Sequence, residues 1–149
     1  MIRIETYSDR YYLDVIKLVE DFHNEAVGEY TGLFDPNVLI ENIVKLKDGN
    51  CHNAFLLITE DSCQGIIAGI ECNSLTSKSK MFQELIWYVN KPFRRYGVKL
   101  LQEAERLLKL NGIDIMIMAV LENSKTEKLK SLYSRLGYKP METHYVRNL

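Results

Sequence analysis

From Ile2 to Tyr7 apolar and polar residues alternate, which predicts a short strand. Ser8-Asp9 then suits a helix cap, and Val15, Ile16, Val19, Phe22 and Ala26 recur at helical spacing, so a helix is expected to about Asn24. Val27 to Gly32 reads as a loop. Asp35-Pro36 is a second cap with proline at the first helical position, and Leu39, Ile40, Ile43, Val44 and Lys47 carry that helix to Asp48-Gly49. Ala54–Thr59 and Gly65–Cys72 are apolar runs around the turn residues Glu60-Asp61-Ser62, which predicts a hairpin. Thr76 to Lys80 is a polar loop and Phe82–Val89 a third such run, stopped by Pro92. Val98, Leu101, Ala104, Leu107 and Leu108 define an amphipathic helix ended by Asn111-Gly112. Ile113 to Leu121 is almost wholly apolar, as expected of a strand covered on both faces. A helix from Ser124 to Leu136, capped by Gly137, precedes extended structure from Tyr138 to Arg147. The predicted order is β-α-α-β-β-β-α-β-α-β, an α/β domain with a mixed sheet.

With 149 residues, 46% apolar and 26% charged, the chain is expected to be one domain, residues 1–149, with a real core. No apolar run approaches the ~18 residues of a membrane span. Met1 to Glu5 lacks a signal-peptide pattern, so a soluble, cytoplasmic protein without a membrane partner is expected. The net charge of −1 conceals a division: residues 1–75 sum to −8 and residues 76–149 to +7. One half suits a cationic ligand and the other a polyanionic one. Overall basic charge of the kind that binds nucleic acid is absent, so no nucleic-acid partner is expected. Cys51, Cys63 and Cys72 fit no zinc spacing and read as free thiols in a reducing compartment; no metal site is expected.

The chemistry concentrates in Glu84 to Leu101, a strand, a basic loop and a helix start. Lys91, Arg94, Arg95 and Lys99 are four cations in nine residues without an acid. A helix N-terminus offers unpaired N–H groups and partial positive charge, and Gly97 lets the backbone approach an anion. The segment is either a phosphate cradle or a solvated basic turn.

Two motifs resemble the GCN5-related N-acetyltransferase (GNAT) family. Val89-Asn90-Lys91-Pro92 and Arg94-Arg95-Tyr96-Gly97-Val98-Lys99 are similar to the family's acetyl-CoA loop, Arg/Gln-x-x-Gly-x-Gly/Ala, with Lys99 replacing the last small residue. Alternatively the loop is about two residues short and Gly97 is the final glycine. Leu132-Tyr133-Ser134-Arg135-Leu136-Gly137-Tyr138 is similar to the family's Leu-Tyr-x-x-Leu-Gly-Phe. The closing Glu142–Arg147 segment, and Glu84 before Trp87-Tyr88-Val89, resemble phage-encoded members, which implies an infected bacterial host.

The resemblance implies a mostly antiparallel mixed sheet flanked by helices, with a splay between its two central strands, Phe82–Val89 and Ile113–Leu121. It implies acetyl-CoA as co-substrate, an amine-bearing small molecule or protein as acceptor, and direct attack of the amine on the thioester; many members form homodimers. Pantetheine would pair with the main chain at Tyr88 and Val89. The pyrophosphate would lie on Arg94, Arg95, Tyr96, Gly97, Val98 and Lys99, with Lys125, Lys128 and Lys130 near the 3′-phosphate. An Asn often opens the family's second β-α unit, which points to Asn123, with Ser124, Thr126 or plain helix capping as alternatives. Glu84 is the candidate base, or else a surface carboxylate or a salt-bridge partner; by alternation it shares a face with Ile86 and Tyr88. The Val89 N–H is the candidate donor to the carbonyl oxygen. Tyr133 matches the family's proton donor to the thiolate, or is a core tyrosine bonded to backbone. Glu25, Glu29 and Asp35 around Tyr30 and Phe34 suit a cationic acceptor, or are ordinary solvated acids. If the protein is not an enzyme, it is a GNAT-fold CoA-binding or interaction protein.

Overall fold

The computed structural model describes residues 1–47, 52–123 and 125–149. Cys51, the helix end at Asp48-Gly49 and the helix start at Ser124 lie outside the described residues. β1 (Ile2–Thr6), β2 (His52–Thr59), β3 (Ser62–Asn73), β4 (Lys80–Val89) and β5 (Ile115–Ile117) form one sheet in sequential order. The first three pairings are antiparallel and β4–β5 is parallel. The hairpin turn needs left-handed residues, and Glu60 and Asp61 take φ of 49° and 62°.

β2 shows why the sheet holds two layers of helix. Leu56 and Ile58 face one side, where Tyr11, Val15, Leu18 and Ile43 come from α1 (Tyr12–Phe22), its leading turn and α3 (Pro36–Lys47). Phe55 and Leu57 face the other, against Leu100, Leu101, Ala104 and Leu108 of α4 (Gly97–Leu110) and Tyr133 of α5 (Thr126–Arg135). Period-two alternation thus feeds two cores from one strand. Ser8 and Asp35 cap as expected: the Ser8 hydroxyl accepts from the Arg10 N–H at 3.4 Å, and the Asp35 carboxylate accepts from the Asn37 N–H at 2.9 Å. No helix among the described residues is long and apolar enough to cross a membrane.

Four expectations change. The expected loop at 27–32 is helical: α1 runs through a π-helical turn (His23–Val27) into α2 (Gly28–Thr31). His23 makes this possible, since its Nε2 lies 2.8 Å from the Gly32 carbonyl and its ring packs on Phe34. The long apolar strand at 113–121 shrinks to β5, which lies at the sheet edge with Ile115 exposed rather than covered on both faces. Residues 139–149 are all exposed and form no strand, so the closing strand of the predicted order is absent from the described sheet.

The fourth change reorganises the site. Ala68 pairs with Ile86 but Gly69 pairs with Glu84, leaving Leu85 as an extra residue in β4. This bulge reverses the facing of everything beyond it. Ile86 and Tyr88 pack on the α1 side, while Phe82, Trp87 and Val89 pack on the α4 side. Glu84, Ile86 and Tyr88 therefore do not share a face. Opposite the bulge the backbones approach so closely that a Cβ on Gly69 would lie 2.1 Å from the Gln83 carbonyl oxygen. Gly69→Ala is expected to cost about 2 kcal/mol or more in urea unfolding, because backbone cannot yield as a side chain can. Gly112→Ala, at a φ of 86° in open space, should cost about 1 kcal/mol.

Candidate active site

Beyond the bulge, β4 and β5 part. Their parallel ladder ends at Gln83–Ile117, and the next link is made by a side chain: the Glu84 carboxylate accepts the Ala119 N–H at 3.1 Å. The Tyr133 hydroxyl donates to the Ala119 carbonyl at 3.0 Å. Glu84 and Tyr133 are both buried, and both hold the same residue of the diverging segment. The Tyr133 ring lies between Trp87 and Tyr138, with centroids 6.0 and 5.4 Å away.

Burial decides the protonation of both groups. It pushes the Glu84 carboxyl up to about 7, only partly opposed by the Ala119 hydrogen bond. Tyr133 is raised well above an ordinary phenol by burial first, then by Glu84 and Tyr138, so it keeps its proton at neutral pH.

Ladder geometry sets which main-chain groups face the opening. Asn90 N–H donates to the Gln64 carbonyl at 2.9 Å, so the 64–90 pair is hydrogen-bonded across β3 and β4. In an antiparallel ladder this alternates. The N–H and C=O of Tyr88 thus point to β3, and those of Trp87 and Val89 point into the gap. Of the two residues expected to pair with pantetheine, Val89 turns its main chain into the gap and Tyr88 turns its own to β3. The Tyr88 side chain lies on the opposite face, where its hydroxyl donates to Glu25 at 3.0 Å.

The basic loop is a 3₁₀ turn (Lys91–Tyr96) running directly into α4. Arg94 turns back toward the gap: its Nε donates to the Val89 carbonyl at 3.0 Å, and its guanidinium lies 3.4 Å from Glu25 and over the Tyr88 ring. Arg95 stacks on Tyr96 at 4.7 Å. Gly97 is buried in ordinary helical conformation, its N–H donates to the Arg94 carbonyl, and a Cβ would meet Trp87 only at 3.7 Å. Val98 follows, half-buried, and the Lys99 side chain lies with Ile4 and Glu103 on the β1 side. Across the mouth, Lys125 is shifted down by burial and then by Arg94, against an opposing pull from Glu25, with Lys91 and Lys128 adding to the fall, so that cations of the loop and α5 share one rim. Lys130 instead pairs with Glu127 at 3.7 Å.

Asn123 lies ahead of α5: its Oδ1 accepts the Lys125 N–H at 2.8 Å, and its own N–H donates to the Thr126 hydroxyl at 2.9 Å. Asp35 caps α3, as described above. Glu25 remains on the α1 side of the mouth, and Tyr30 is raised by its hydrogen bond to Glu29 first and by the charge of Glu122 last. Buried Cys63, raised to about 12 by burial, and half-buried Cys72 are free thiols.

No family model and no curated relative matches the sequence. Solved structures do match at full length. A GNAT family acetyltransferase of Staphylococcus aureus is 17% identical with a TM-score of 0.73, covering 99% of this chain and 98% of its own. An aminoglycoside acetyltransferase from an uncultured soil metagenomic sample is 17% identical with a TM-score of 0.77, covering 100% and 99%. A transcriptional regulator of Bacillus halodurans is 13% identical with a TM-score of 0.80, covering 100% of both chains. The chain has the GNAT fold. Within that fold, the bulge, the parted strands and the basic helix start share one opening. Sequence reasoning missed Ala119 and the main chain of Trp87, because both contribute backbone atoms. The apolar run from Leu85 to Val89 gives no sign of the bulge, because a regular strand covered on both faces, such as β2, reads the same way.

Glu84 has a folded pKa above its unfolded value near 4.5. Its contribution to stability is therefore full below that value and lost as pH rises through about 7. Glu84→Gln keeps the Ala119 hydrogen bond without the charge. It should be about 1–3 kcal/mol more stable than wild type at pH 8 and nearly equal at pH 4.5, measured by chemical denaturation.

Proposed function

We propose that the protein is a single-domain, cytoplasmic N-acetyltransferase that moves an acetyl group from acetyl-CoA to a primary amine. The observation that carries this reading is the opening beyond Gln83–Ile117, where the outer edge of β4 lies beside a buried carboxyl and phenol and beneath a cationic rim. The main chain of Trp87 and the N–H of Val89 face the gap at strand spacing, which suits the amides of a pantetheine arm, while the Val89 carbonyl accepts from Arg94. Lys91, Lys125 and Lys128, with the first-turn amides of α4 at Val98 and Lys99, suit its phosphates.

Glu84, ionised above about pH 7, takes a proton from the acceptor ammonium through water, since the carboxyl is buried. The amine nitrogen bonds to the thioester carbon while the carbon–sulfur bond breaks. Val89 N–H supports the carbonyl oxygen as charge develops. The proton shed by the new amide nitrogen passes through water to the thiolate, and Tyr133 turns its hydroxyl from the Ala119 carbonyl to hydrogen-bond that departing sulfur. Its raised pKa makes it a stabilising donor rather than a source of a freely lost proton. Glu25, Glu29 and Glu122 give the acceptor side the negative charge that an ammonium needs.

One observation favours a second reading, a CoA-binding or interaction protein without turnover: Arg94 is engaged by Glu25 and Val89, and Lys99 replaces a small residue. Release of CoA from acetyl-CoA across an amine panel separates the two. Tyr133→Phe should lower kcat by about 100-fold with the Kd for acetyl-CoA little changed; absence of turnover in wild type selects the second reading. The wild-type kcat/KM should rise through pH 7, and Glu84→Gln should lose that limb. Gly97→Ala should fold and bind normally, whereas Gly97→Glu should weaken acetyl-CoA binding by calorimetry, because a carboxylate there opposes the phosphates.

A further inference from the structure

Arg94 belongs to the basic turn yet points back across the gap. Its Nε donates to the Val89 carbonyl at 3.0 Å, its Nη2 lies 3.4 Å from Glu25 Oε2, and its guanidinium carbon stands 5.7 Å from the centre of the Tyr88 ring. A carboxylate, an aromatic face and a carbonyl are groups that together hold a cation. The Tyr88 hydroxyl donates to the other Glu25 oxygen at 3.0 Å, which fixes carboxylate and ring relative to each other. Asp21 adds its negative charge at the Tyr88 phenol. Glu25 is carried at the middle of the π-helical turn His23–Val27, an irregularity of a kind concentrated at functional sites.

We propose that the box formed by Glu25, Tyr88 and the Val89 carbonyl is the site of a second, non-reacting cation of the acceptor, and that Arg94 fills it until the cofactor's phosphates draw the guanidinium out. This rests on the acetyl-transfer reading and adds a class of acceptor to it, a molecule with at least two cationic nitrogens. A carboxylate and a ring face favour the charged form of whatever they hold. The reacting nitrogen must instead lose a proton, and Glu84 serves it from the bulge at the other end of the parted stretch of β4. The box and Glu84 thus suit different nitrogens of one acceptor.

Arg94 can leave because its hold is weak. The Arg94 and Glu25 side chains are 34% and 45% exposed, so solvent screens their attraction. A diphosphate brings more negative charge than one carboxylate, and on the same reading it lies at the turn that carries Arg94. Departure of the guanidinium uncovers the carboxylate, the ring face and the carbonyl together. Cofactor and acceptor then help each other to bind, and linkage makes that help equal in both directions.

Calorimetry with CoA, which carries no acetyl group to transfer, tests the exchange with spermidine as the probe. Wild type should bind spermidine at least about 10-fold more tightly with CoA saturating than without it. Arg94→Ala should bind spermidine equally in both states. Glu25→Gln should lose spermidine and bind CoA more tightly, because Arg94 is then unheld, and that gain should vanish in the double variant with Arg94→Ala. In CoA release from acetyl-CoA, wild type should prefer spermidine to butylamine, and Glu25→Gln should lose the preference. Spermidine binding that ignores CoA or is absent, a CoA dependence that survives Arg94→Ala, a Glu25→Gln gain that persists without Arg94, or no preference over butylamine would each overturn the box. A protein that binds no CoA sinks the acetyl-transfer reading as well, whereas one that turns over acetyl-CoA without this coupling sinks the box alone.

Discussion

The site depends on one substitution of a side chain for a backbone link. Where β4 and β5 would continue their ladder, the Glu84 carboxylate takes the Ala119 N–H, and Tyr133 takes the Ala119 carbonyl. Both main-chain polar groups of Ala119, an exposed residue, thereby find partners within the protein. The strands part with two side chains in place of the next ladder link. The bulge at Leu85 turns Glu84 toward that segment, and the close approach at Gly69 sustains the bulge. A wedge-shaped opening is thus held by local hydrogen bonds rather than by strain.

Charge is sorted across the opening as the halves of the sequence foreshadow. The acidic first half supplies Glu25 and Glu29 on the α1–α2 side, and the basic second half supplies Lys91, Arg94, Lys125 and Lys128 on the α4–α5 side. Arg94 and Glu25 meet at the boundary. Both are partly solvated, so the pair orients side chains more than it stabilises the fold.

Much of the frame was legible because it follows from periodicity. The hairpin, the two core faces of β2 and the caps at Ser8 and Asp35 are properties of neighbouring residues. What escaped was set by tertiary partners. The apolar run at 113–121 matched a covered strand, but the edge position and the departure from β4 left only three residues paired. His23 turned a predicted loop into helix through a contact nine residues away. Alternation failed at Glu84 because a bulge belongs to a pair of strands, not to one. Tyr133 and Glu84 were named from their motifs, yet their common hold on Ala119 could not be read from either.

That hold has a consequence for genetic dissection. Ala119 acts through its amide and carbonyl alone, so truncating its side chain to probe it is impossible and most replacements leave both atoms in place. Side-chain scanning would record the position as permissive. Only chemistry that alters the peptide group itself, such as proline or a backbone ester, would register it.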